Sequence, residues 1–110
     1  MTIQDIQALV ATRFGVTRLD LISDRRSKAI YRPRQAAMWL CSRLTTHSLA
    51  AIGRQFGMRD HTTVSHAVAV VERLMRTDPV FARHVLALLE SVDSEESVDV
   101  RRAMMWRAVA

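Results

Sequence analysis

Apolar residues along this chain recur every three or four positions, and no stretch alternates with the period of two that marks a half-buried strand. The pattern predicts an all-α fold. Thr2 can cap a first helix carrying Ile3, Ile6, Leu9 and Val10, which Gly15 ends. Thr17 can cap a short helical turn with Leu19, Leu21 and Ile22. Ser23 to Arg32 is polar and basic without a period and reads as a loop. Pro33 then suits the first turn of a helix that runs to about Leu44, with Ala36, Ala37, Leu40, Cys41 and Leu44 on one face. After Thr45 to His47, Ser48 caps a short helix with Leu49, Ile52 and Phe56 on one side, and an internal Gly53 suggests close approach by a neighbouring helix. Gly57 ends it and Asp60 opens the next, whose buried stripe is Val64, Ala67, Val68, Val71 and Leu74. Asp78 and Pro79 start a further helix with Val80, Val85, Leu86, Leu88 and Leu89. Ser91 to Ser97 reads as acidic and loosely structured, and Ser94 as the cap of a last helix with Val98, Val100, Met105, Trp106 and Val109. Residues 1–90 are thus expected to form the domain, and 91–110 an acidic linker with a short C-terminal helix. The apolar stripes are read as core.

Composition narrows the class. A chain of 110 residues, 49% hydrophobic, supports one small domain with a modest core. No apolar run approaches the roughly 18 residues of a membrane span. The N-terminus lacks the basic-then-apolar order of a secretory signal. The single cysteine, Cys41, excludes an internal disulfide and fits a reducing cytoplasm, which is the expected location. On its apolar helix face it reads as a buried, inert thiol.

Charge adds a partner. The formal net charge is +5, and Arg18, Arg25, Arg26, Lys28, Arg32 and Arg34 crowd one segment against Asp20 and Asp24. Glu90 to Asp99, by contrast, carries acids and no base. A local basic segment supplies phosphate contacts and electrostatic steering toward a polyanion. Just downstream, the helix that Asp60 caps begins with His61, Thr62 and Thr63, short polar side chains suited to base edges or phosphates. Helix, short turn and polar-tipped second helix make a helix-turn-helix candidate. The plain alternative is that Asp60 and Thr63 only cap the helix.

Two blocks then carry a resemblance. GMRDHTTVSHA, residues 57 to 67, and RRSKAIYRPRQAAMWL, Arg25 to Leu40, at this separation resemble the C-terminal DNA-binding domain (domain IV) of the bacterial chromosomal replication initiator DnaA, over roughly Ile3 to Glu90. The resemblance implies a Trp repressor-like helix-turn-helix whose second helix enters the major groove of a double-stranded nonamer resembling TTATNCACA. By match, Asp60, His61, Thr62 and Thr63 contact bases, and Arg26 reaches the adjacent minor groove. Arg25, Lys28, Arg34, Gln35 and Arg59 lie at the phosphates. The function implied is sequence-specific binding at DnaA-box-like sites in the initiation or regulation of replication, competing with or assisting the full-length initiator. A transcription regulator, or a protein-interaction module that uses the old fold and the Trp106 tail, stands as the alternative.

Three departures qualify the match. Asp24 stands where the family tends to have a base, which lowers the expected phosphate affinity. Met58 stands where Gly is frequent, which bears on the turn. The match also begins almost at Met1, so the expectation is a stand-alone binder without the ATPase module, with no ATP switch and no cofactor. A monomer is expected. No enzyme is expected either: His61 and His66 are five apart, about 140° around a helix, and do not make a zinc pair. Gly15, Gly53 and Gly57 are too few for a phosphate loop.

Overall fold

The capping positions explain where the helices begin. In the computed structural model, which describes residues 1–95, Thr2 Oγ1 accepts from the Asp5 amide at 3.1 Å, and the Thr2 amide donates to Asp5 Oδ2 at 2.9 Å. This reciprocal pair starts α1, Ile3–Phe14, which Gly15 closes at φ 71°. Thr17 and Asp20 repeat the device at 3.0 Å each way and start α2, Arg18–Ile22. The amides of Thr2 and Thr17 hold the two carboxyls below their usual range.

The long α3, Lys28–Leu44, is the centre of the fold, with α1, α2 and α5 laid against it. It begins earlier than the sequence suggests. The loop spans only residues 23–27, and Pro33 lies inside the helix rather than in its first turn. A proline near a helix start removes one amide and excludes one ring position, and the turn before it still closes: the Tyr31 amide reaches the Ser27 carbonyl at 2.8 Å. The short α4, Leu49–Arg54, follows, capped by Ser48; Phe56 lies beyond its end, fully buried in the turn. Then come α5, His61–Thr77, and α6, Pro79–Glu95, whose first turn is capped by Asp78 through the Phe81 amide at 3.1 Å.

The core joins Ile6, Val10, Leu21, Met38, Leu40, Ile52, Phe56, Val64, Val71 and Val85. Among them sits an unexpected polar residue, fully buried Gln7. Its amide donates to the Gln55 carbonyl at 2.8 Å and accepts from Arg18 at 3.1 Å, so burial leaves it paired and it ties α1 to the end of α4.

Some expected core positions are outside. Leu19 is 66% exposed, Val80 56% and Leu86 50%. Each helix buries one stripe, and α6 uses Phe81, Val85, Leu88 and Val92. That stripe runs past residue 90, and where a loose acidic segment is expected from Ser91 the helix continues through Glu95. Ser94 accordingly lies within α6 instead of capping a new helix. The tail helix with Trp106 lies outside the described residues.

Cys41 is fully buried, and burial pushes its thiol up to about 12. The thiolate is the reacting species. Ellman's reagent at pH 8 is therefore expected to report no thiol in the native protein and one per chain in denaturant. Rapid native labelling would show that the α3 face opens.

Candidate nucleic-acid interface

Glycine makes the turn between α4 and α5 possible. The Gly53 carbonyl accepts from the Arg59 amide at 2.9 Å, while the Arg59 carbonyl lies directly over the Gly53 Cα. The close approach inferred from Gly53 is thus made by the turn itself, not by a neighbouring helix. Gly57 and Met58 both take left-handed backbone, at φ 74° and 60°. Met58 tolerates it with a side chain 77% exposed.

The turn delivers Asp60 to the head of α5. Its Oδ1 accepts from the Thr62 amide at 3.0 Å and the Thr63 amide at 3.1 Å, and also from the Thr62 hydroxyl. The Thr62 hydroxyl, more than any other group, holds the carboxyl below its usual range, so Asp60 stays an anion at neutral pH. All these bonds use Oδ1, which leaves Oδ2 as an acceptor. His61, Thr62 and Thr63 are exposed. Behind them Val64, Ala67, Val70 and Val71 are buried and anchor α5 against α3. An exposed polar tip on an anchored helix can present donors and acceptors at a fixed angle.

The basic loop lies on α2 and the start of α3. Arg25, Arg26 and Lys28 are exposed. Arg25 Nη1 is 3.3 Å from Asp20 Oδ1, an open ion pair that polyanion phosphates can displace at little cost. Ser27 caps α3 without a side-chain bond. Gln35 is half-buried and its carbonyl oxygen accepts from Arg32 at 2.8 Å.

Two expected phosphate contacts turn inward. Arg34 is 6% exposed. Its Nε donates to the Leu21 carbonyl at 2.9 Å, and its Nη2 to the carbonyls of Arg25 at 2.9 Å, Ser23 at 3.0 Å and Asp20 at 3.3 Å. A guanidinium holding that many carbonyls is the internal support of the loop rather than an outward hand. Arg59, half-buried, donates to the Phe56 carbonyl and, through Nη2, to the Ser23 carbonyl at 2.8 Å. Burial pushes Arg34 down to about 10, the Arg59 cation adds to this, and Asp24 opposes it. Burial also lowers Arg59, again with Asp24 opposing. The signal for Arg34 was present in the spacing: it lies three before Ala37 and seven before Cys41, on their buried stripe.

Sequence reading assigns Tyr31 no role and weighs His66 only as a zinc ligand. With Gln35, Thr63 and Ala67 they line a cleft of about 140 Å³ between α3 and α5, beside the polar tip. Each lies in one of the two motif blocks, 35 residues apart in the chain, and only the packing of the two helices brings them together.

Comparison with known proteins matches the helix-turn-helix to a family. The family model for the bacterial DnaA protein helix-turn-helix matches residues 3–71. The chain is 55% identical over 83 residues to the chromosomal replication initiator protein DnaA of Caulobacter sp. (strain K31), covering 76% of this chain and 17% of that protein. It is 51% identical over 88 residues to the protein of that name from Caulobacter vibrioides (80% and 18%). With the one from Rhodopseudomonas palustris (strain TIE-1) it shares 50% over 86 residues (78% and 18%). The chain thus matches less than a fifth of the length of these relatives.

Proposed function

The chain belongs to the bacterial DnaA helix-turn-helix family, and from that premise we propose that it binds double-stranded DNA sequence-specifically, at nonamers of the DnaA-box type, in the initiation or regulation of replication. One observation carries this reading. The apolar stripe of α5 is buried, and its opposite, N-terminal end offers Asp60, His61, Thr62 and Thr63 to solvent beside an exposed basic loop. In this reading the tip of α5 enters the major groove. His61 and Thr62 meet base edges, Asp60 Oδ2 accepts from an exocyclic amine, and Thr63 bonds a base or the backbone beside it. Arg26 enters the neighbouring minor groove, where narrow A·T steps concentrate negative potential. Arg25, Lys28 and the Gln35 amide hold phosphates and set the register. Arg34 and Arg59 hold the protein, not the DNA.

Base readout and backbone grip are then separable. His61→Ala and Thr62→Ala are each expected to cost about 1–3 kcal/mol on the nonamer, the range of a good base contact, and almost nothing on a scrambled duplex. Fluorescence polarisation on both duplexes measures this, with circular dichroism as a folding control because Thr62 also bonds the Asp60 cap. Folded variants that keep the full preference for the nonamer would remove α5 from the role of reading helix.

A further inference from the structure

Two inward-turned cations, Arg34 buried and Arg59 half-buried, meet at one atom. The Ser23 carbonyl oxygen accepts from Arg34 Nη2 at 3.0 Å and from Arg59 Nη2 at 2.8 Å. Arg34 rises from α3 and Arg59 from the turn of the helix-turn-helix. Like charges held this close repel, and partial burial thins the water that would screen them, so the arrangement persists because the carbonyl bonds, with the Asp24 charge, offset the cost. What the bonds connect gives them meaning. Arg59 immediately precedes Asp60, the cap of α5. Arg34 also holds the carbonyl of Arg25, the residue immediately before Arg26. The other Arg59 bond, to the Phe56 carbonyl, fixes the guanidinium to the end of the α4 turn. Gly57 adds a second contact in the same place, since its Cα lies against the Ile22 carbonyl with no room for a side chain.

We infer that Arg59 and Arg34 are positioning residues that lock the basic loop to the head of α5 through the Ser23 carbonyl, so that the minor-groove and major-groove contacts are presented as one rigid unit. The inference rests on the DNA-binding reading above. Separate segments reading adjacent grooves gain affinity together only if their spacing is set before binding, because otherwise each binding event must also order the loop. A polyanion alongside would also relieve the repulsion between the two cations, so binding favours the locked arrangement. Neither residue need touch DNA for this.

The test is a cycle in two backgrounds. In the parent protein Arg26→Ala is expected to weaken nonamer binding about tenfold or more, as for a specific contact. In Arg59→Met the same substitution is expected to cost about threefold or less, because an unlocked loop no longer places Arg26. His61→Ala should cost the same in both backgrounds, which a general loss of structure would not give. Arg59→Lys, with its cation but a single point donor, should fall between the two and serves in place of Arg59→Met if that variant does not fold. A second measurement needs no DNA: spin labels at Ser27→Cys and Ser65→Cys, both exposed, should give a narrow distance distribution in the parent and a broad one in the Arg59 variant. An equal cost of Arg26→Ala in both backgrounds, or a distribution that stays narrow, overturns the lock. A parent protein that does not distinguish the nonamer from a scrambled duplex defeats the DNA-binding reading instead, and the spin labels still decide on the lock.

Discussion

Arg34→Ala is expected to destabilise the fold by about 3–5 kcal/mol, the scale on which removing one partner from a buried charged network acts. The residue is 6% exposed, and its loss takes a side-chain donor from the carbonyls of Leu21 and Arg25, while those of Asp20 and Ser23 lose one donor and keep the Ser23 hydroxyl and Arg59 respectively. Carbonyls that cannot find water in its place carry a desolvation penalty each. The aliphatic stem is lost as well, and a hole opens between α2 and α3. Urea denaturation reads the change as a fall in midpoint. A phosphate contact would behave in the opposite way: stability would stay within about 0.5 kcal/mol of the parent, while the salt dependence of DNA binding would lose about one unit of slope. That second pattern would return Arg34 to the DNA surface. Arg34→Lys separates charge from geometry, since an ammonium cannot span carbonyls that a planar fork reaches together, and it should recover only a minor part of the loss.

Gly53→Ala is the second large effect, and its sign runs against helix propensity. Gly53 lies within α4, where alanine ordinarily gains about 1 kcal/mol. Here a Cβ would collide with the Arg59 carbonyl oxygen, and would lie 3.0 Å from the carbonyl carbon and 3.2 Å from the Asp60 oxygen. All three are backbone atoms, so no side chain can swing away. Relief requires the turn to lift from α4, which stretches the 2.9 Å bond from the Arg59 amide to Gly53 and tilts the head of α5. A net loss of about 3 kcal/mol is expected, at the upper end for overpacking. Gly57→Ala should be comparable, because it adds a left-handed cost of about 1–2 kcal/mol to a clash with the Ile22 carbonyl. Gly15→Ala is the control. It shares the positive φ, 71°, but a Cβ there meets nothing within 4 Å, so only the conformational cost should appear. Thermal melts rank the three, at about 4–8 °C per kcal/mol for a domain of this size. A Gly57→Ala shift no larger than that of Gly15→Ala would mean that φ alone governs position 57, and a Gly53→Ala variant that does not lose stability would mean that the turn does not crowd position 53.

Function and stability therefore meet at the same short segment. The turn that forbids a Cβ at Gly53 is the turn that carries Arg59 to Ser23 and Asp60 to the first amides of α5. Met58 has room that its glycine neighbours lack. It occupies left-handed backbone with its side chain in solvent, so the departure from glycine is accommodated by exposure and leaves the turn intact.

Local chemistry was readable from the chain alone. A cap and the amides it serves lie within three residues of one another, so Thr2, Thr17, Ser48, Asp60 and Asp78 declare five helix starts without reference to the rest of the molecule. Periodicity likewise identified the buried faces of α3 and α5 and the all-α class, because an amphipathic stripe is a property of spacing, while the family was legible in the two motif blocks at residues 25–40 and 57–67. Tertiary structure decided what depends on partners distant in sequence. Spacing puts Arg34 on the buried stripe, but the carbonyls that receive it, and the inward turn of Arg59, exist only once α2 ends against α3, an arrangement that leaves Arg26 exposed. The same holds for Gln7, whose partners Arg18 and Gln55 lie 11 and 48 residues away, and for Leu19, left outside because α2 buries only Leu21. Charge and polarity in a sequence mark what a side chain can bond; only the packed chain determines whether water, its own backbone or a bound polyanion is there to accept.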